Sequence, residues 1–148
     1  MDVLFYHLTE TKVEDALPAL LERSLERNWR VVVQTAGTER RDLIDGLLWT
    51  YRPDSFLPHG LDTDPFPEMQ PILLTAGEGN PNAATVRFVI DGAPPPALSG
   101  YERVVFMFDG HDAAQVEGAR GHWKALKGEG HSLSYWQQNR DGRWEKKA

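Results

Sequence analysis

Short, unbroken apolar runs alternate along this chain with segments whose apolar residues recur at helical spacing. The clearest runs are VLFYHL at residues 3–8, RVVVQ at 30–34 and RVVFMF at 103–108. Strands that are apolar at consecutive positions are typical of a parallel sheet covered on both faces. Since parallel strands are joined by crossover helices, the pattern predicts one α/β domain over residues 1–148, with a mostly parallel, Rossmann-like sheet in a three-layer fold.

Two segments with helical spacing follow the first two runs. Residues 12–28 form the first, in which Pro18 falls within the first two turns and predicts a late start or a bend. Residues 38–49 form the second, with Thr38 as its expected N-cap. The expected inner face of this second helix consists of Leu43, Leu47 and Leu48.

A proline-rich stretch interrupts the alternation. Residues 51–71 contain five prolines and predict a long surface loop without a regular element. The apolar segments at 72–75 and 86–90 predict two more strands, with a Gly- and Asn-rich connection between them.

Composition limits the chemistry that this chain can perform. It has no cysteine, which excludes disulfides, thiolate nucleophiles and cysteine-based zinc sites. The net charge of −6 argues against general binding to nucleic-acid phosphates. Residues 1–110 hold 9 Lys and Arg against 17 Asp and Glu, whereas residues 111–148 hold 7 against 5. The last quarter is thus locally basic, and it suits a small acidic partner better than a polynucleotide.

The first residues, MDVLFYHLTE, lack the basic region and the long apolar run of a secretion signal. No apolar run approaches the roughly 20 residues that a membrane span needs. We therefore expect a cytoplasmic protein without a membrane partner.

The fold class suggests nucleotide binding, but the sequence lacks the motifs that perform it. The first run is followed by TETK and not by G-x-G-x-x-G, and no G-x-x-x-x-G-K-[ST] occurs. GEGN at residues 77–80 is an isolated Gly-rich turn, more typical of a connecting loop than of a phosphate site. We therefore expect no nucleotide, and no other cofactor is indicated.

The tetrapeptide Asp109-Gly110-His111-Asp112 follows the third apolar run. Strand carboxyl ends carry catalytic groups in many α/β enzymes, and two carboxylates with an imidazole could hold a divalent metal or act as acid and base. One hypothesis is therefore a metal-assisted hydrolase using Asp109, His111 and Asp112. The alternative is structural, since Asp-Gly is a turn dipeptide and Asp112 stands where a helix needs an N-cap. The structural alternative is favoured because the rest of the chain supplies no convincing second ligand cluster.

The next segment, residues 113–127, predicts a helix with two neighbouring stripes that leads into a strand at SLSYWQQ. The apolar stripe, expected to face the sheet, consists of Val116, Ala119, Trp123 and Leu126. The basic stripe consists of Arg120, Lys124 and Lys127. Cations beside an apolar edge can bind a carboxylate-bearing peptide, with Trp123 and Val116 walling a pocket for a hydrophobic side chain. The alternative is a solvated helix face whose cations suit the helix dipole.

A second apolar cluster spans the end of the second helix and the start of the proline-rich stretch. Its members are Leu47, Leu48, Trp49, Phe56 and Leu57. It either packs the loop onto the core or forms a protein-docking surface, where Trp and Phe are favoured anchors.

Several segments, taken in order, resemble one known family. They are LFYHLT, LLWTYRPDSFLPHG, QPILLT, RVVFMFDGHD and the final GHWKALKGEGHSLSYWQQNRDGRWEKKA. Together they resemble the chi subunit of bacterial DNA polymerase III over nearly the whole chain. The resemblance implies a Rossmann-like fold without nucleotide and an accessory subunit of the clamp-loader complex with no enzymatic activity of its own.

The resemblance also implies a peptide partner. Chi proteins grasp the acidic C-terminal tail of single-stranded-DNA-binding protein, which ends in a hydrophobic residue. The matching positions here are Arg120, Trp123 and Lys124, with Val116, Lys127 and Asp109 beside them. A Tyr-Arg pair of well-known members is Leu126-Lys127 in this chain, which keeps the charge and loses an aromatic ring.

A second implied partner is the psi subunit or another clamp-loader component. The matching positions are Trp49 and Phe56. No direct, specific binding to nucleic acid is expected from the resemblance.

Overall fold

The computed structural model describes residues 1–50 and 57–148. These residues form eight strands, three α-helices and one 3₁₀ turn at Pro67–Met69. The strands are β1 (Asp2–Leu8), β2 (Val31–Gln34), β3 (Gly60–Leu61), β4 (Ile72–Thr75), β5 (Val86–Ile90), β6 (Arg103–Asp109), β7 (Ser132–Gln138) and β8 (Trp144–Lys146). The helices are α1 (Val13–Glu26), α2 (Thr38–Thr50) and α3 (Ala113–Gly128). Among these described residues, no helix is long and apolar enough to cross a membrane.

All eight strands belong to one sheet in the order β3-β4-β2-β5-β6-β1-β7-β8. Neighbouring strands are parallel, except that β7 and β8 are antiparallel. β1 lies between β6 and β7, so that Phe5 is opposite Phe106 on one side and Tyr135 on the other. The predicted fold class, a Rossmann-like α/β fold with a mostly parallel sheet, is confirmed.

Helices cover both faces of the sheet. α1 and α2 pack on one face, where Leu17 and Leu48 are buried against the strands. α3 packs on the opposite face through Ala119 and Leu126, which are buried against Phe5. Complete burial of a Leu or Phe side chain stabilises the fold by about 1.5–3 kcal/mol, so both layers are held chiefly by apolar packing.

Strand β1 supplies side chains to both layers because successive residues of a strand point to opposite faces. Leu4 and Tyr6 pack on the side of α1. Val3 and Phe5 pack on the side of α3. This one strand therefore contributes to the hydrophobic packing on both faces of the sheet.

The structure differs from the predicted helices in two details. α1 begins at Val13 with Pro18 inside it, so the late start, one of the two predicted effects of Pro18, is wrong. In α2 the buried residues are Ile44 and Leu48, whereas Leu43 is 46% exposed. Residues four apart lie on one face of a helix, and Leu43 is rotated by about 100° from Ile44.

The structure also adds short elements that the sequence did not indicate. β3 and the 3₁₀ turn both lie within the stretch predicted to be irregular, and β3 pairs with β4. β8 pairs with β7 close to the last residues of the chain. Strands of two or three residues are too short to produce a recognisable pattern, since their register is set by the neighbouring strand.

Candidate functional site

The turn from Asp109 to Asp112 joins β6 to α3 through local hydrogen bonds. Asp109 accepts the backbone N–H of His111 at 2.8 Å, and His111 Nε2 donates to the carbonyl oxygen of Thr9 at 2.7 Å. Asp112 is the N-cap of α3, and its Oδ1 accepts the backbone N–H groups of Ala114 and Gln115. These side chains therefore serve the turn and the cap, as the structural alternative predicted. In the described ranges, no group of three or more His, Cys, Asp or Glu is arranged to hold a metal ion.

Helix α3 presents its predicted apolar stripe to the sheet. Ala119 and Leu126 are buried, and Val116 and Trp123 pack against the same cluster. Trp123 meets Phe5 edge to face, with ring centroids 5.4 Å apart. Such aromatic pairs add about 0.5–1.5 kcal/mol beyond the area they bury, so the ring of Trp123 is held in one orientation.

A hollow of about 270 Å³ opens between α3 and β7. Its lining residues are Arg120, Trp123, Lys124, Tyr135 and Ala148. Trp123 and Tyr135 meet edge to face, with ring centroids 5.8 Å apart, and form its aromatic side. Arg120 and Lys124 lie one helical turn apart and border it. The structure thus brings three of the predicted site residues together and adds Tyr135.

The two cations of this hollow are available to a ligand. Lys124 is exposed and makes no ion pair with a residue in the described ranges. The Arg120 side chain is 68% exposed, and its only ion pair in the described part of the chain is a 3.8 Å approach to Glu117. An exposed pair at that distance contributes at most about 1 kcal/mol, so a better-placed carboxylate can displace it.

A hydrogen bond to His7 on the neighbouring strand β1 holds the Tyr135 side chain in place. A hydrogen bond of 2.7 Å joins the Tyr135 hydroxyl to His7 Nδ1. Burial raises the pKa of Tyr135, and the charge of Arg120 opposes that rise. Burial and then the charge of Arg120 lower the pKa of His7. Arg120 is therefore close enough to act electrostatically on both members of this pair.

The remaining predicted residues lie around the hollow and do not line it. Val116 packs into the core beneath α3, one turn or more from the opening. Lys127 is exposed one turn beyond Lys124. Asp109 ends β6 and belongs to the turn described above. The alternation of SLSYWQQ could have indicated Tyr135, because a period of two places Leu133 and Tyr135 on the same face of β7.

A larger cleft of about 650 Å³ lies at the carboxyl ends of the strands, between the residues that follow β1 and β6. Open α/β sheets usually bind ligands at this position. Here Arg40 donates to Asp91 at 2.8 Å and to Glu14 at 3.0 Å, so its guanidinium group is already paired.

The backbone donors of the turn after β1 are also paired within the protein. Gln138 Oε1 accepts the backbone N–H groups of Thr9, Glu10 and Thr11 at 3.0–3.2 Å. In dinucleotide-binding folds, the N–H groups of the corresponding turn bind phosphate. Since a buried side chain of the same molecule occupies these donors, the turn does not offer them to a nucleotide.

Trp49 lies at the end of α2, and 52% of its surface is exposed. Its ring centroid lies 4.5 Å from that of His59, and His59 Nε2 lies 3.1 Å from Asp45 on the same helix. The ring of His59 thus packs against the indole, which is held at the surface. Leu57 is buried in the core, as the packing alternative predicted for the loop. Phe56 lies outside the described residues.

Comparison with known proteins gives concordant results. Residues 1–134 match the family described as DNA polymerase III chi subunit, HolC. A relative from Rickettsia prowazekii (strain Madrid E), named probable DNA polymerase III subunit chi, is 34% identical over 85 residues. The aligned region covers 57% of this chain and 52% of the relative, so the chain spans about half the length of the relative that it matches. The chain belongs to the DNA polymerase III chi subunit family, which places it among the accessory proteins of DNA replication.

Proposed function

We propose that this chain is a non-catalytic accessory subunit that links the DNA polymerase III clamp-loader complex to single-stranded-DNA-binding protein. It does so by binding the acidic C-terminal tail of that protein in the hollow between α3 and β7. The observation that carries the proposal is the lining of this hollow, where Arg120 and Lys124 flank the rings of Trp123 and Tyr135.

The hollow suits a peptide that is acidic and ends in a hydrophobic residue. The terminal side chain packs between the edge-to-face rings of Trp123 and Tyr135. Arg120 offers a planar fork to a carboxylate, and Lys124 offers a compact charge one turn away. Lys127 extends the positive field along α3, and Val116 supports the helix from the core side.

The interaction should be weak and sensitive to salt. Both cations are at the surface, where ion pairs are screened over about 8–10 Å at physiological ionic strength. We expect a dissociation constant of micromolar order, roughly −8 kcal/mol, with the apolar contact supplying the part that salt does not weaken.

Fluorescence anisotropy with a labelled acidic peptide that ends in a hydrophobic residue tests this proposal. Arg120→Ala removes a charge-assisted hydrogen bond worth about 1.5–3 kcal/mol, so affinity should fall by about tenfold or more. A peptide with the same charges and a terminal Ser should also bind more weakly, because it cannot fill the aromatic side of the hollow.

Arg27→Ala is the matched control, because Arg27 caps α1 on the opposite face of the sheet. It removes the same charge and should leave the affinity within about twofold. Equal affinity of wild type and Arg120→Ala, or an equal loss in both variants, would contradict the assigned site.

We further propose that Trp49 and Phe56, the two positions indicated by the family resemblance, dock a psi-like subunit or another clamp-loader component. The supporting observation is that Trp49 is more than half exposed and yet held in place by His59. Large aromatic residues in fixed positions are favoured anchors of protein interfaces.

Co-purification separates this surface from the α3 hollow. Trp49→Ala should lose the clamp-loader partner and retain binding of the acidic peptide, whereas Arg120→Ala should do the reverse. If the folded Trp49→Ala variant lost both the clamp-loader partner and the acidic peptide, the assignment of two independent surfaces would be wrong.

A further inference from the structure

A third surface lies on the face of the sheet opposite α3. It is a groove of about 200 Å³ between the last turn of α1 and the starts of β5 and β6. Leu4, Leu20 and Phe88 form part of its floor, while Tyr6 and Trp29 contribute aromatic rings. Neither the α3 hollow nor the Trp49 surface includes any of these residues.

Three arginines, Arg23, Arg27 and Arg103, line this groove around Trp29. The guanidinium carbons of Arg27 and Arg103 lie 5.0 and 4.7 Å from the centroid of the indole. Burial raises the pKa of Tyr6, and the charges of Arg103, Arg23 and Arg27 all oppose that rise. The three charges therefore converge on one aromatic surface.

These guanidinium groups keep most of their hydrogen-bond donors available. None of the three donates a side-chain hydrogen bond to another residue in the described ranges, and among them only Arg103 has an ion pair there, at 3.6 Å to Asp2. Arg40 and Arg41, by contrast, each donate to two carboxylates. Stacking on Trp29 thus fixes the positions of Arg27 and Arg103 without consuming the N–H groups that an anion would use.

The aromatic surface continues beyond the groove along β7 and β8. Tyr6 stacks on Trp136 with centroids 6.5 Å apart and meets Trp144 edge to face at 4.8 Å. Lys146 lies directly opposite Trp136 in the antiparallel pair, so its side chain is on the same face of the sheet. Cations and rings are therefore interspersed across the groove and the neighbouring strands.

We propose that this arginine and aromatic groove binds single-stranded nucleic acid without sequence preference. Arg23, Arg27 and Arg103 contact successive phosphates, and bases stack on the rings that adjoin Tyr6. Binding of this kind combines a cationic track with aromatic platforms that accept any base.

The chemistry of the groove favours a nucleic acid over an acidic peptide. Each nucleotide carries one phosphate and one planar ring, which matches a surface where a group of cations adjoins a group of aromatic rings. An acidic peptide would use the arginines and leave most of the rings without a partner. A duplex fits less well, because its bases are paired and stacked on one another and do not offer their faces to these rings. Because the net charge of the chain is −6, we expect binding of the single strand to be weak and confined to this groove.

Anisotropy titrations of full-length protein with labelled oligothymidylate, over a series of salt concentrations, test the proposal. Three neutralised phosphates predict a slope of about −2 in log affinity against log salt, or about a 20-fold loss between roughly 50 and 200 mM. Arg23→Gln/Arg27→Gln leaves one of the three arginines, so the slope should fall to about −0.7.

Arg120→Gln/Lys124→Gln provides the matched control, since it removes two charges from the α3 hollow on the other face. It should leave oligothymidylate affinity within about twofold, and polyglutamate should compete poorly with the oligonucleotide. Three results would each overturn the proposal: no binding at low salt, an equal loss in both double variants, or equal competition by polyglutamate. Duplex DNA that binds as tightly as the single strand would overturn it as well.

Discussion

His7 on β1 and Tyr135 on β7 are joined by a hydrogen bond of 2.7 Å between the imidazole Nδ1 and the phenol oxygen, although 128 residues separate them in sequence. The bond fixes the ring that forms one side of the α3 hollow. It also connects the hollow to the interior of the sheet, because β1 is the strand between β6 and β7.

Tyr135→Phe should destabilise the protein and leave the shape of the hollow intact. The substitution keeps the ring and removes the hydroxyl, so His7 loses its partner at a cost of about 1–2 kcal/mol. Urea denaturation monitored by circular dichroism measures the change. A variant as stable as wild type would show that the bond contributes nothing to folding.

Stability should decline as the pH falls from about 7.5 to 5.5. Burial lowers the pKa of His122, and burial together with Arg120 lowers that of His7. The pKa of such a histidine is lower in the folded state than in the unfolded state, where it is about 6.5. Its contribution to stability is complete above the unfolded pKa. Below that pH the unfolded state takes up protons first, and the contribution is lost. Urea denaturation at several pH values measures the slope. The slope should be shallower in His7→Gln/His122→Gln, and an unchanged slope would contradict the assignment.

Gln138→Ala should be one of the most damaging polar substitutions in this chain. Gln138 accepts three backbone N–H groups after β1 and donates to the Thr11 hydroxyl at 2.8 Å. Each of these hydrogen bonds contributes about 0.5–1.5 kcal/mol, and several are lost together, so the free energy of unfolding should fall by about 1–3 kcal/mol. Gln137→Ala on the same strand is the control, since its side chain makes no hydrogen bond with the described residues, and thermal melting should separate the two variants.

Gly110→Ala and Gly121→Ala should change stability in opposite directions. A Cβ at Gly110 would collide with the ring of His7 and the carbonyl oxygen of Leu8, which predicts a loss of about 1–3 kcal/mol. At Gly121, inside α3, a Cβ meets no atom within 4 Å, and Ala favours the helix by about 0.5–1 kcal/mol. Denaturation midpoints that shift in the same direction would show that the close approach of Gly110 to His7 is not a constraint.

Asp112→Ala should cost about 1 kcal/mol, because it removes the N-cap of α3. Asp112→Asn should retain most of the stability, since an amide oxygen can accept the same N–H groups. A thermal-shift series with divalent metals on wild-type protein completes the comparison. Strong stabilisation by a metal that both substitutions abolish would revive the hydrolase hypothesis for Asp109, His111 and Asp112.

Helix α3 shows how much the local sequence pattern can predict. The spacing of Arg120 and Lys124 predicted that they share one stripe, as observed. The position of Trp123 in the apolar stripe predicted that it faces the sheet, as observed. Local pattern indicated only that Tyr135 shares a face of β7 with Leu133. It did not show that Tyr135 completes the hollow, because the docking of β7 beside β1 sets which strand residue faces which helix residue. Leu43 was misplaced for a similar reason, since the rotation of α2 is decided by its contacts with the sheet.

The sequence by itself determined the class of fold, the N-cap at Asp112 and the stripes of α3, because each depends on residues within a few turns of one another. Only the tertiary structure decided that Gln138 closes the turn after β1, that His7 supports Tyr135, and that Arg23, Arg27 and Arg103 meet around Trp29. These contacts join segments that are distant in sequence, and their geometry follows from strand order and register. Neither strand order nor register is encoded in the periodicity of a single segment.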